Sequence, residues 1–195
     1  MFDEKIFYGL NCAEKFFSYL ISSEVPKGSI VMAHNGQAYD FYFVLKQFYK
    51  NSSKYVPNLV INGTLLMQML VKTTDVELKF IDSVNFIPAP LRKFPTLFGF
   101  NDSKTFFPYS FVNEETIYYR GVIPARTFYD VPANETLSFN EFYEQQQQYA
   151  NNNNQQWDLE SVAIQYCCQD VHVLFCGIFT YLKTFYEVAK INPFS

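Results

Sequence analysis

Apolar and polar positions along this chain switch between two periods, and the switches mark its elements. Residues 13–22, AEKFFSYLIS, carry apolar side chains at 16, 17, 20 and 21, which is one face of a helix. Pro26-Lys27-Gly28 breaks it. Residues 29–34 are a short apolar run that reads as a buried strand and ends in the turn signal His34-Asn35-Gly36. Residues 39–50 return to a helical period, with Phe43, Val44, Phe48 and Tyr49 as candidate inward positions. Strands are predicted at 57–63, 65–71 and 76–81, the first two joined by a turn at Asn62-Gly63. The stretch 82–94, DSVNFIPAPLRKF, leaves the last strand through a turn and enters a short helix near Leu91 that closes around Gly99.

The second half is less regular. Residues 101–137 show no period, hold Pro108, Pro124 and Pro132 among many aromatic residues, and read as a long, partly ordered insertion. Residues 139–148 suggest a helix. The low-complexity run QQQQYANNNNQQ at 145–156 predicts a flexible surface loop, because it offers too little apolar surface to offset the cost of ordering. Residues 157–189 predict a closing helix with Asp158 as N-cap and Glu160 in its first turn, long enough to imply a kink or two helices end to end. Strands alternating with helices, then a long final helix, place the chain of 195 residues in the α/β class as one domain.

Composition narrows the functional classes. The net charge is −4 and the pI about 5.2, whereas a stand-alone nucleic-acid binder carries a basic surplus, so any nucleic-acid role is local or belongs to a larger protein. No uninterrupted apolar run reaches the roughly 18 residues of a membrane helix, and Met1-Phe2-Asp3-Glu4-Lys5 lacks a signal-peptide layout. No membrane partner is expected, and the sequons at Asn51, Asn62, Asn101 and Asn134 read as chance matches in an Asn-rich chain. Cys12, Cys167, Cys168 and Cys176 form no CxxC pair, which predicts reduced, buried thiols in an intracellular protein, in nucleus, cytoplasm or an organelle.

Two stretches could carry chemistry. In YCCQDVHVL, Tyr166 and Asp170 lie four apart and share a helix face, so a phenol and a carboxylate can meet one small target; a solvated acid beside a half-buried tyrosine has the same spacing. In AHNGQAYDFYFVL, Asp40 opens the helix at 39–50, where an acid complements the helix dipole or serves a site. There is no Gly-rich phosphate loop and no Ser-His-Asp or Cys-His arrangement; His34 and His172 are the two histidines.

Taken together, Asn35-x-x-x-Tyr39-Asp40 after a strand and Tyr166-x-x-x-Asp170 on a late helix resemble the second and third motifs of the 3′–5′ exonuclease domain of family B DNA polymerases. FIDSVNFIPAPLRKFPTLFGF (80–100), KTFFPYSF (104–111) and GVIPARTFYDVP (121–132) are similar to the protein-primed branch, which serves viruses, linear plasmids and large self-synthesising transposons. The resemblance covers about residues 5–190. It implies a ribonuclease-H-like (DnaQ-like) fold, a mixed sheet flanked by helices, and a two-metal mechanism in which four acids hold Mg²⁺ or Mn²⁺. On this resemblance Asp170 binds metal directly and Asp40 through water, and Tyr166 orients the attacking water. Asn35 and Tyr39 hold the frayed 3′ end of the primer, Ser83 with Val84 makes a second strand contact, and Lys104 matches a catalytic-site lysine. His34 precedes the motif Asn as in several relatives. DNA and the rest of a polymerase chain are the implied partners.

One departure outweighs these matches. No Asp-x-Glu lies upstream of Asn35, where the first motif belongs; Asp3 and Glu4 are adjacent, not spaced. The Asp-Thr-Asp turn of a polymerase palm is also absent. The expectation is therefore a partial exonuclease domain over 1–195, lacking its opening strands, from a DNA-replicating polymerase and inactive alone. The alternatives are a stand-alone nuclease of the same fold and a non-catalytic module whose aromatic surface binds protein. The fold should set the strand at 29–34 beside that at 76–81, with the helix from 158 across the sheet.

Overall fold

The apolar runs of the first half become β1 (Ser29–Ala33), β2 (Asn58–Asn62), β3 (Leu65–Lys72) and β4 (Glu77–Asp82). They form one sheet in the order β1-β4-β3-β2 in the computed structural model, which describes residues 4–101, 105–153 and 156–194. β1 lies beside β4, as the sequence leads one to expect, and runs parallel to it, with Ala33 opposite Asp82. β2, β3 and β4 are an antiparallel meander. Between Val60 and Ile61 the β2–β3 register slips, so that Met67 has no partner on β2. Buried positions on β3 change phase there, from Leu66 to Met69 and Val71, as a bulge demands.

The chain divides into two compact units, Met1–Phe100 with Val173–Ser195, and Asn101–His172. In the first, α1 (Cys12–Leu20) and α2 (Asp40–Lys50) share a core with β3 and β4 that contains Phe17, Phe48, Leu66, Met69 and Phe80. The inward stripe of α2 is Phe41, Val44, Leu45 and Phe48, the i, i+3, i+4, i+7 pattern of a helix lying on a core. This corrects the expected set: Phe43 and Tyr49 are 61% and 58% exposed, one position out of phase with the buried stripe.

After β4 the chain makes a 3₁₀ turn (Ser83–Asn85) and reaches α3 (Phe94–Phe98). The closing helix α5 (Leu159–Ala189) is one continuous helix of 31 residues and not two helices end to end. Its residues from Val173 onward belong to the first unit, and Val173, Leu174, Ile178 and Tyr181 cluster with Ile87 and Phe94. That part of α5 thus packs on the segment following β4. By length and composition α5 could cross a membrane, although it contains no uninterrupted apolar run of that length.

Gly177 lies where the Phe94 ring meets the α5 backbone: a Cβ there would be 2.3 Å from Cδ2 of that ring. Phe94 is completely buried and has nowhere to go. Gly177→Ala should therefore destabilise the protein by about 1–3 kcal/mol through overpacking, even though alanine is the better helix former. Chemical denaturation of the variant checks this, and a gain in stability would show that the ring relocates.

The second unit overturns the picture of a partly ordered insertion. Phe106, Ile123, Tyr129, Phe139, Tyr143, Trp157 and Leu159 form a core of its own. A two-stranded ribbon, β5 (Arg120–Gly121) with β6 (Trp157–Asp158), closes it, and Arg120 Nε pairs with Asp158 at 3.2 Å. α4 (Thr136–Asn153) runs through most of the run expected to be a loop; residues 154–155 lie outside the described residues. Glutamines are adequate helix formers, and Phe139 and Tyr143 anchor the first turns of α4 in the core. Arg126 lies over the Tyr143 ring at 4.5 Å and bonds Asn140. Asp158 caps α5 as expected, accepting from the backbone N–H and hydroxyl of Ser161. None of the four cysteines is in a disulfide, but they are not buried: Cys167 is exposed and Cys12, Cys168 and Cys176 are half-buried.

Candidate functional site

The parallel pairing of β1 with β4 brings two of the singled-out segments side by side at the carboxyl ends of both strands. β1 runs into His34-Asn35-Gly36-Gln37 and then α2, and β4 runs into Asp82-Ser83-Val84. His34 Nδ1 and Ser83 Oγ are 2.9 Å apart, and the His34 ring stands edge-on to Phe94 at 5.2 Å. Asn35 takes a left-handed φ of 63°, a region that asparagine tolerates better than most residues. The turn is packed tightly against the end of β1. A Cβ on Gly36 would meet Ala33 Cβ at 2.6 Å and the Phe41 ring at 3.2 Å, so only glycine fits. The Gly36 carbonyl accepts from the N–H groups of Tyr39 and Phe41, which starts α2 and places Asp40 at its first position.

Asn35, Tyr39 and Asp40 are exposed, as groups that meet a ligand must be, and Tyr39 is 67% exposed. Val84 is half-buried. Ser83 is completely buried, so its hydroxyl serves the site through His34 and not at the surface. The residue missed by sequence reasoning is Asp82. It is completely buried, yet accepts from the backbone N–H of Asn35 (2.9 Å), Gln37 (2.8 Å) and Val84 (3.0 Å). An acid that ends an apolar strand was the available signal, and it read as a turn residue.

The protein packed around Asp40 holds its carboxyl above the ordinary carboxylate range; its own backbone N–H opposes this, and the charge of Asp82 adds to it. Burial lowers the His34 pKa, against the pull of Asp82 in the other direction. His34 should thus titrate below the usual imidazole value of about 6.5. Its folded pKa lies below the unfolded one, so the unfolded chain takes up the proton first. The stabilisation from neutral His34 is present above the unfolded value and is lost as pH falls through the folded value. An imidazole NMR titration checks this; a pKa above that of free histidine would reverse the sign.

Tyr166 and Asp170 belong to the second unit. They do lie together on α5: Tyr166 donates its hydroxyl hydrogen to the Asp170 side chain. Tyr109, from the Phe-Pro-Tyr stretch that the sequence singled out only as a block, donates to the Tyr166 oxygen at 2.7 Å. Phe107 stacks on the Tyr166 ring at 5.1 Å. Burial first, with the Asp170 charge and the bond donated to it, raises the Tyr166 pKa far above that of a free phenol, so Tyr166 stays neutral. Lys104 lies outside the described residues.

Residues 23–195 match the family described as DNA polymerase type B, organellar and viral. The chain belongs to this polymerase family. Relatives agree with that membership at low identity. Each is named a probable DNA polymerase: one of Agaricus bitorquis, 23% identical over 90% of this chain and 21% of that protein; one of Podospora anserina, 28% identical over 71% and 11%; and one of Neurospora intermedia, 28% identical over 85% and 17%. The chain thus spans about a fifth or less of the length of these relatives. No solved structure matches.

Among the described residues no three His, Cys, Asp or Glu side chains come together as a metal site. Asp82, near enough to Asp40 to act on its pKa, already has both oxygens committed to backbone N–H groups. The described residues do not by themselves gather the ligands of a metal pair; at the start of α2 they present an exposed aromatic ring, an amide and a carboxylate.

Proposed function

We propose that this chain is the greater part of the 3′–5′ exonuclease domain of a type B DNA polymerase, ribonuclease-H-like in fold, and that it holds a single-stranded 3′ end without cutting it. One observation carries the reading. The segment with Asn35, Tyr39 and Asp40 and the segment with Ser83 and Val84 meet at the carboxyl ends of two adjacent parallel strands, the edge at which open α/β sheets bind ligands. The exposed Tyr39 ring offers a base a stacking face. Among the described residues β1 pairs only with β4, which leaves an edge for a strand bearing the first motif. In the longer protein Asp40 would serve Mg²⁺ or Mn²⁺ together with the acids of that strand. Nucleotidyl transfer in DNA replication belongs in this reading to the remainder of the polymerase.

Fluorescence anisotropy with a short oligothymidylate bearing a free 3′ end, in EDTA, tests it. The chain should bind; Tyr39→Ala should weaken binding about tenfold, the worth of one lost base stack, and Asn35→Ala should weaken it through loss of the amide's hydrogen bonding. Binding that neither variant changes, or no binding at all, would exclude this surface as a strand-end site and favour a module that binds protein.

A further inference from the structure

We infer that Asp82 is the positioning residue of this site: its buried side chain clamps the His34–Gln37 turn and so sets where Asn35 and Asp40 stand. The inference rests on the strand-end reading for what the turn presents. The clamp itself rests on geometry alone.

Two N–H groups of the turn, those of Asn35 and Gln37, converge on one carboxylate that arrives from the neighbouring strand 45 and 47 residues away. Backbone N–H groups that converge in a turn form a concavity suited to an anion, and here the anion is built into the protein. The third bond, from Val84 N–H, caps the 3₁₀ turn after β4, so Asp82 couples both segments of the site. Three things follow from holding the turn this way. Asn35 is kept at its left-handed φ. The Gly36 carbonyl is aimed at the N–H groups of Tyr39 and Phe41, which fixes the start of α2 under Asp40. The Gln37 carbonyl accepts from Leu66 N–H at 3.0 Å, tying the turn to β3. No other described side chain is seen to accept from the N–H groups of Asn35 or Gln37.

The two carboxylate oxygens are not equivalent, and this makes the inference sharp. One accepts from Asn35 and Val84, the other from Gln37 alone. Asp82→Asn keeps the shape but turns one oxygen into an NH₂ donor. Its better orientation keeps the oxygen on the side with two donors and sets the NH₂ against the Gln37 N–H. Hydrogen exchange read residue by residue by NMR should show Gln37 losing about ten- to hundredfold in protection, with Asn35 and Val84 affected less. The β3–β4 ladder should hold its protection. A purely structural role would instead lower protection evenly across that ladder. Affinity for the oligothymidylate in EDTA should fall about tenfold in the same variant.

Even loss of protection, or Gln37 unchanged, would overturn the clamp, and so would release of the turn with full affinity retained. If Asp82→Asn does not fold, the parent protein decides. Its Asn35 and Gln37 amides should exchange as slowly as those of β4, and fast exchange there would also overturn the clamp. A parent chain that binds no oligonucleotide at all defeats the strand-end reading, while the exchange pattern still decides the clamp.

Discussion

A 5′-labelled single-stranded oligonucleotide incubated with the purified chain and Mg²⁺ or Mn²⁺ should keep its full length. The argument is a count of ligands. Two-metal cleavage needs two cations about 4 Å apart, held so that one activates water and the other takes the charge of the leaving oxygen. Asp40 and Asp170 are the acids that the motifs supply, and Asp82 is spent on three backbone N–H groups. No trio of ligand side chains gathers among the described residues. Each 1.4 kcal/mol or so of charge stabilisation withheld from the transition state slows the step about tenfold. Failing to hold even one cation removes several such increments, so the expected rate is indistinguishable from background. Gel analysis over hours checks this. Metal-dependent shortening that vanishes in both Asp40→Ala and Asp170→Ala would overturn it, and would mean that a further acid completes the site.

Phe48→Ala should be the most damaging single truncation in the first unit. The ring is completely buried and meets Phe17 at 5.0 Å, Phe80 at 6.1 Å and Tyr55 at 6.2 Å, all edge-on. It joins α1, α2 and the sheet in one contact. Removing it forfeits the transfer energy of the ring and leaves a cavity between elements that cannot fully collapse, about 3–5 kcal/mol. Against a total stability of roughly 5–15 kcal/mol, that is enough to melt the unit or lower its midpoint by about 10 °C or more. Tyr49→Ala, at the next residue on the exposed side of α2, should shift stability by no more than about 0.5 kcal/mol. Urea denaturation followed by far-ultraviolet circular dichroism compares the two. Equal losses would mean that the stripe assigned to α2 is wrong.

The local pattern was enough to locate most elements. Apolar runs bounded by turn residues marked β1 to β4 within a residue or two, and the helical period marked α1, α2 and the start of α5. The motifs marked the turn after β1, the segment after β4 and the Tyr166–Asp170 pair before any contact was known. These features depend on neighbours in the chain, which a short window of sequence contains.

What the sequence by itself left open required groups that are distant along the chain. The buried stripe of α2 was read half right: Val44 and Phe48 are buried, but Phe43 and Tyr49 were taken in place of Phe41 and Leu45, because apolar residues flank the stripe on both sides and only contact with Phe17 and Phe80 chooses between them. The glutamine-rich run was read as a loop because its own side chains bury little, whereas α4 is anchored by Phe139 and Tyr143 at its other end. Tyr109 gained a role only when it met Tyr166, 57 residues later. Asp82 shows the limit most clearly. As a sequence feature it is an acid at the end of an apolar strand. Only the pairing of β4 with β1 sets it opposite Ala33, under a turn whose Asn35 and Gln37 N–H groups it accepts from, that of Gln37 being buried. A local period reports which way a side chain points from its own backbone. Which buried charge meets which buried donor is decided by strand register, a relation between residues more than 40 positions apart.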